Sequence, residues 1–231
     1  MVVYLIRHTS VDVPQGVCYG QTDVPLNPTF EEEAAQTSAQ LKGLQFDKVY
    51  MSPLTRCVRL ATFCGYPDGE RDDRIKEINF GDWEMQRFDE ITDANLQKWY
   101  ADYRNVRATN GESFQDQYQR VADFLNELRQ KPYKQVAIFA HGGVLINAQI
   151  YAGTVKRAPA WMIKIGLEWF YRLIKEPRRM WRRYLIGNVK FIAYILREKM
   201  LFSTGNIKQE ELQFDSKLLI NEEVPVHPVE A

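Results

Sequence analysis

Histidine and cysteine are both scarce here, three of each in 231 residues. Cys18, Cys57 and Cys64 are odd in number and lack the spacing with histidine that zinc sites use, so neither a disulfide framework nor a metal site is expected. They read as structural thiols in a reducing, cytoplasmic setting. No apolar run reaches the roughly 18 to 20 residues that a membrane span requires. Met1 leads straight into a strand-like run, so no secretory leader is expected. Internal repeats, low-complexity tracts, Walker-type loops and HExxH pairs are all lacking. Net charge is missing as well, 30 basic side chains balancing 30 acidic ones. A hydrophobic share of 45% and a charged share of 26% are those of a soluble globular protein with enough chain to bury a large core.

The neutral total hides an uneven distribution. Residues 1–156 carry 17 Lys/Arg against 21 Asp/Glu, residues 157–202 carry 11 against 3, and residues 203–231 carry 2 against 6. A basic segment between two acidic ones marks an organisational boundary and a candidate contact for anionic surfaces. Three parts follow: 1–156, a basic aromatic appendage at 157–202, and an acidic, loosely ordered end at 203–231.

Residues 1–156 read as α/β. Strand signals occur at 2–6, 46–51 and 135–140, and helical stretches at about 31–43, 54–65, 90–103, 113–130 and 143–152. Strands alternating with helices imply parallel pairing with helices on both faces. Glu31, Glu32 and Glu33 fall in the first turn of a helix, where carboxylates offset the positive end of the dipole. They read as a solvated helix start rather than a metal site.

The two histidines of this part occupy equivalent places. Arg7 and His8 follow the apolar run Val2–Ile6, while His141 follows Val136–Ala140 and precedes Gly142 and Gly143. Short apolar runs that end in a polar residue and a glycine-rich turn deliver side chains to the carboxyl edge of a parallel sheet, where open α/β folds place their sites. A neutral imidazole held in one tautomer can attack phosphorus. Such a site needs fixed cations for the phosphoryl oxygens, for which arginine forks are suited, and an acid for the departing alkoxide. Arg7 adjoins His8, Arg56 lies on the first turn of the helix after Met51-Ser52-Pro53-Leu54-Thr55, and Glu77 sits within Ile75–Glu84.

The segments LIRHTSVD, SPLTRCVRLAT, IKEINFGDWE, NGESF and FAHGGV, in order over residues 2 to 155, resemble the histidine phosphatase superfamily. The resemblance implies a three-layer α/β sandwich with a mostly parallel central sheet, as in phosphoglycerate mutases. It implies His8 as the phosphorylated nucleophile, Glu77 as proton donor, and Arg7, Arg56 and His141 as phosphoryl ligands, with no metal and no cofactor. Glu84 shares the local motif and is expected to support the structure. The stretch Gly16–Leu26, ending Gly-x-x-Asp-x-Pro-Leu, resembles α-ribazole 5′-phosphate phosphatases, placing Gly20 and Thr22 among substrate-binding residues. Thr9 stands where the commoner form has glycine, a variation that ribazole-type members share. The implied activity is phosphomonoester hydrolysis on a small molecule, α-ribazole 5′-phosphate of adenosylcobalamin synthesis, with a broad sugar or nucleotide phosphatase as alternative. No element that would retain a bisphosphorylated mutase intermediate is visible.

From about residue 153 the pattern changes. KRAPAWMIKIGLEWFYRLIKEPRRMWRRYLIGNVKF, within 153–202, resembles the C-terminal appendage of a bacterial glycosyltransferase family that adds N-acetylmannosaminuronic acid or N-acetylmannosamine to lipid-linked sugars. The transferase's nucleotide-sugar domain is absent, so transferase activity does not follow, and a fused fragment is the simplest account. Trp161, Trp169, Phe170, Tyr171 and Trp181 interleave with Arg172, Arg178, Arg179, Arg182 and Arg183. Such helices can lie in a membrane interface, aromatics inward and arginines toward anionic headgroups. A membrane-surface or glycosyltransferase-associated protein is therefore the competing reading; packing on the phosphatase body is the plain one. No nucleic-acid reader accompanies the segment, so no nucleic-acid partner is expected. Leu218-Leu219-Ile220 is a candidate edge strand.

Overall fold

From Val136 to Ala140 the sequence is apolar without a break, which suits a strand covered on both faces. In the computed structural model all five side chains are fully buried. The structure describes residues 1–154 and, at 227–230, a strand. Four strands run parallel: β1 (Val2–Arg7), β2 (Lys48–Met51), β3 (Glu70–Arg71) and β4 (Gln135–Ala140). A fifth, β5 (His227–Glu230), lies antiparallel on β1, giving the order β3-β2-β4-β1-β5.

Alternation along the strands sorts the core into two layers. Val3, Leu5, Val136, Ile138 and Ala140 face α4 (Phe114–Leu128) and α5 (Gly142–Tyr151), which contribute Val121, Phe124, Leu125, Val144 and Ala148. On the other face Ile6, Met51, Ala137 and Phe139 meet α1 (Phe30–Leu41) and α2 (Thr55–Phe63) through Phe30, Ala34, Cys57, Leu60 and Ala61. This is the three-layer helix–sheet–helix sandwich that the sequence led us to expect. A separate aromatic cluster is built on Trp83, Leu96 and Ala108, with Phe80, Phe88 and Trp99 against it.

Helix limits follow their caps. Ser113 and Asp116 form a reciprocal capping box that starts α4, worth about 1 kcal/mol. The helix expected over 90–103 is shorter, α3 (Asn95–Ala101). Asp93 is committed elsewhere: it accepts from the Asn95 amide (2.8 Å), the Trp83 indole (2.8 Å) and the Thr109 hydroxyl, turning the chain just before Asn95.

The chain divides into two units, Met1–Val155 with Glu223–Ala231, and Lys156–Glu222. The appendage at 157–202 and the candidate strand at 218–220 lie outside the described residues. Within the end expected to be loosely ordered, residues 227–230 form β5. Pro228 argues against a strand in sequence, but an edge strand tolerates a residue without an N–H. No helix among the described residues is long and apolar enough to cross a membrane.

Candidate active site

Strand register brings the expected residues to one edge. Arg7 pairs with Ala140 and Met51 with Phe139, so the residues that follow, His8, His141 and Ser52, emerge side by side. Two hydrogen bonds extend the ladder there, His8 N–H to the Ala140 carbonyl (3.1 Å) and Ser52 N–H to the Phe139 carbonyl (2.9 Å). The rings of His8 and His141 stand 5.2 Å apart, centroid to centroid.

The His8 tautomer is set by a neighbour that can only accept. Its Nδ1 lies 2.6 Å from the Thr9 carbonyl, so Nδ1 carries the proton and Nε2 keeps a free lone pair. Burial lowers the imidazole from 6.5 to about 3; the Thr9 hydrogen bond and the Glu33 charge pull upward, and Arg56 and Arg7 add to the lowering. His8 is therefore neutral throughout the physiological range. Burial also pushes His141 well down, with His8 and Arg56 adding to it. The Arg56 Nε–H donates to His141 Nδ1 (3.3 Å), so His141 carries its proton on Nε2, 2.7 Å from the Ser52 hydroxyl.

Arg56 is completely buried, yet among the described residues no carboxylate pairs with it. Its Nη1 donates to the Thr22 carbonyl (3.0 Å), its Nη2 to the Gly20 carbonyl (2.6 Å), and the Tyr19 ring lies 5.4 Å from its guanidinium carbon. Of five N–H groups two remain for a ligand. The carbonyls of Gly20 and Thr22, the two loop residues expected to bind substrate, hold Arg56 in the structure. The same loop fastens the helix that carries Arg56, because Asp23 accepts from the Thr55 amide (2.8 Å) and hydroxyl (2.7 Å) at the start of α2.

Glu84 completes that loop's anchorage. Its carboxylate accepts from the amides of Gln21 (2.8 Å), Thr22 (2.7 Å) and Phe80 (3.0 Å) and from the Thr22 hydroxyl. Gly20 is required there: its φ is +33° and a Cβ would meet Glu84 Oε1 at 2.2 Å.

Arg7 is exposed, has no hydrogen-bond or ion-pair partner among the described residues, and lies beside Gly142 at the start of α5. Buried Arg56, free Arg7 and the N-terminus of α5 therefore converge beside a neutral imidazole, an arrangement suited to a phosphoryl dianion. Glu77 borders the same helix start, its Oε2 3.2 Å from the Gly143 amide.

Several residues of the site carry no signal in the sequence. Arg120 on α4 donates to the carbonyls of Arg74, Lys76 and Glu77 (2.7, 2.7 and 2.9 Å) while pairing with Glu112, which pins the segment bearing Glu77. Gln21 donates to the same Glu77 carbonyl (2.9 Å). Glu33 is more than a solvated helix start: it accepts from the amide and hydroxyl of Ser10 and from the Thr29 hydroxyl, tying down the turn after His8. Burial works to raise its carboxyl, but these hydrogen bonds outweigh it and hold the group below the usual range. Cys57 is buried against His141, and burial raises its thiol far above the ordinary value, as befits a structural group. Among the described residues no cluster of three or more acidic, histidine or cysteine side chains could hold a metal ion.

A sheet edge that presents two neutral histidines, flanked by arginines and a carboxyl, defines a class. The chain belongs to the histidine phosphatase superfamily (branch 1), whose family profile matches residues 3–177, and it is a phosphatase. Within that class the adenosylcobalamin/alpha-ribazole phosphatase of Escherichia coli (strain K12) is 33% identical over 154 residues, 63% of this chain and 75% of that protein. The crystal structure of the alpha-ribazole phosphatase from Shigella flexneri superposes with a TM-score of 0.59 at 29% identity, covering 70% of this chain and 83% of that one. A different relative, the N-acetylglucosaminyldiphosphoundecaprenol N-acetyl-beta-D-mannosaminyltransferase of Bacillus subtilis (strain 168), is 38% identical over 94 residues, 41% of this chain but only 34% of that enzyme.

Proposed function

We propose that this protein hydrolyses a small phosphomonoester, α-ribazole 5′-phosphate, through a phosphohistidine on His8. The observation that carries the reading is the fixed tautomer of His8, whose ring packs 5.2 Å from that of His141, itself bound to the buried Arg56 guanidinium, which has two N–H groups to spare. In the first step the Nε2 lone pair forms the P–N bond while the P–O bond breaks toward the leaving oxygen. Arg7, Arg56 and the α5 N-terminus meet the equatorial oxygens, with the His141 ring, held by Arg56 and Ser52, beside them. Glu77 delivers a proton to the leaving oxygen. In the second step Glu77 takes a proton from water as that water attacks phosphorus and frees His8. All the positive charge in this scheme comes from side chains and helix termini.

The substrate reading draws on the ribazole-type relatives and on the Gly20–Leu26 loop, which sets the position of Arg56. Incubating the full chain with ³²P-labelled substrate and quenching it should trap an acid-labile, base-stable phosphoprotein. His8→Ala should lose both label and turnover; label retained in that variant rejects the assignment. Profiling against α-ribazole phosphate, sugar phosphates and nucleotides tests the substrate, and kcat/KM no higher for α-ribazole phosphate than for the others removes it. The match to the mannosaminyltransferase spans too little of that enzyme to carry a transferase activity.

A further inference from the structure

The carboxyl of Glu77 is held by an unusual amount of buried amide. Its Oε1 accepts from the Ile78 N–H (2.9 Å) and the Gln117 Nε2–H (2.8 Å), whereas among the described residues Oε2 accepts only from the Gly143 N–H at 3.2 Å. Gln117 on α4 and Asn147 on α5 are both fully buried, and the Asn147 Nδ2–H donates to Gln117 Oε1 (3.1 Å). The second polar atom of that asparagine, Oδ1, is buried with no partner among the described residues. Among these residues the asparagine is thus engaged through its N–H.

These contacts form a chain with one polarity. Asn147 presents an N–H to Gln117, so Gln117 must show its oxygen to Asn147 and its N–H to Glu77. Oε1 of Glu77, already the target of two N–H donors, is a poor place for a proton, which leaves Oε2. Gly143 makes the meeting possible, since a Cβ there would lie 2.4 Å from Glu77 Oε1 and 2.7 Å from Gln117 Oε1. We propose that Gln117, oriented by Asn147, is a positioning residue that turns Glu77 so that Oε2 is the oxygen delivering the proton to the leaving group. This rests on the reading of Glu77 as proton donor. As the P–O bond breaks, its electron pair goes to the leaving oxygen and the proton passes there from Oε2.

The test uses the full chain and two probes, 4-nitrophenyl phosphate, whose leaving group departs without protonation, and ribose 5-phosphate, whose alkoxide needs a proton. The readout is kcat/KM for each, which reports on steps up to departure of that group. Glu77→Gln is the reference and should lose about 100-fold or more on ribose 5-phosphate and far less on the nitrophenyl ester. Gln117→Met, which removes the N–H, and Asn147→Asp, which reverses the polarity facing Gln117, should each lose about 10-fold on ribose 5-phosphate and stay within about twofold on the nitrophenyl ester. The double variant should be no worse than either single one, because both cut the same chain. If Gln117→Met melts below the assay temperature, the near-isosteric Asn147→Asp carries the decision. Equal losses on both probes in these variants, with the split preserved in Glu77→Gln, overturn the role of Gln117. No split in Glu77→Gln overturns the proton-donor reading itself, and the positioning role with it.

Discussion

At the scale of single residues the site turns on keeping two imidazoles uncharged. Burial does most of this work for both His8 and His141. The consequence for stability has a definite sign. An unfolded histidine takes up a proton near pH 6.5, whereas folded His8 resists protonation until about pH 3. The unfolded state therefore binds more protons below pH 6.5, and stability contributed by the neutral rings is present above that value and lost on acidification. Urea midpoints measured from pH 7.5 to 4 should fall steadily below pH 6.5, and His141→Gln should flatten the decline. A midpoint unchanged down to pH 4.5 contradicts the buried, neutral assignment. Asp116, which the Arg107 hydrogen bond holds at about 2, loses its contribution only at the acid extreme and does not confuse this window.

At the scale of elements the site is a meeting of two helix starts and one loop. Helix α5 begins immediately after His141, and its second residue, Gly143, leaves room for Glu77 and Gln117. Gly143→Ala should therefore lower kcat at least 10-fold while changing the melting temperature little, because flexible side-chain ends move aside rather than backbone. Helix α2 depends on Asp23, which caps it from the Gly20–Leu26 loop. Asp23→Ala should cost about 1 kcal/mol in chemical denaturation, the usual worth of such a cap, and raise KM severalfold as Arg56 loosens. Unaltered KM would show that Arg56 is held by the Gly20 and Thr22 carbonyls alone.

At the scale of the molecule the parallel sheet is closed on one side by a strand from the far end of the chain. Without β5 the outer edge of β1, the strand that leads to His8, would expose its N–H and C=O groups. Removing residues 227–231 should lower stability, at roughly 1 kcal/mol for each ladder hydrogen bond lost, and favour aggregation on heating. Light scattering during a thermal ramp would show it; an unchanged ramp would mean that β5 contributes nothing to the edge. The basic aromatic segment at 157–202 is open to a direct measurement. Flotation with anionic liposomes should depend on that segment if it meets membranes, and equal flotation without it removes the idea.

Sequence alone determined three of the four strands and the helices between them in the first 154 residues, because burial on one or both faces imposes periodicities of 3.6 and 2 that local composition displays. The two-residue β3, exposed at the sheet edge, shows no such period. Sequence also marked Arg7, His8, Arg56 and His141, since strand ends and helix starts are where chemistry-bearing residues reach a sheet edge, whereas Glu77 was marked by the Ile75–Glu84 motif and its resemblance to the histidine phosphatases. Only the tertiary structure decided what holds them. Arg56 is gripped by carbonyls of Gly20 and Thr22, and backbone acceptors have no residue signature. Gln117 lies 40 positions from Glu77, Arg120 43 to 46 positions from the carbonyls it holds, and Asn147 30 positions from Gln117, yet they look in sequence like ordinary polar positions on helices. The end strand was hidden for a related reason: a short run containing proline becomes a strand only when an unpaired edge is already waiting for it.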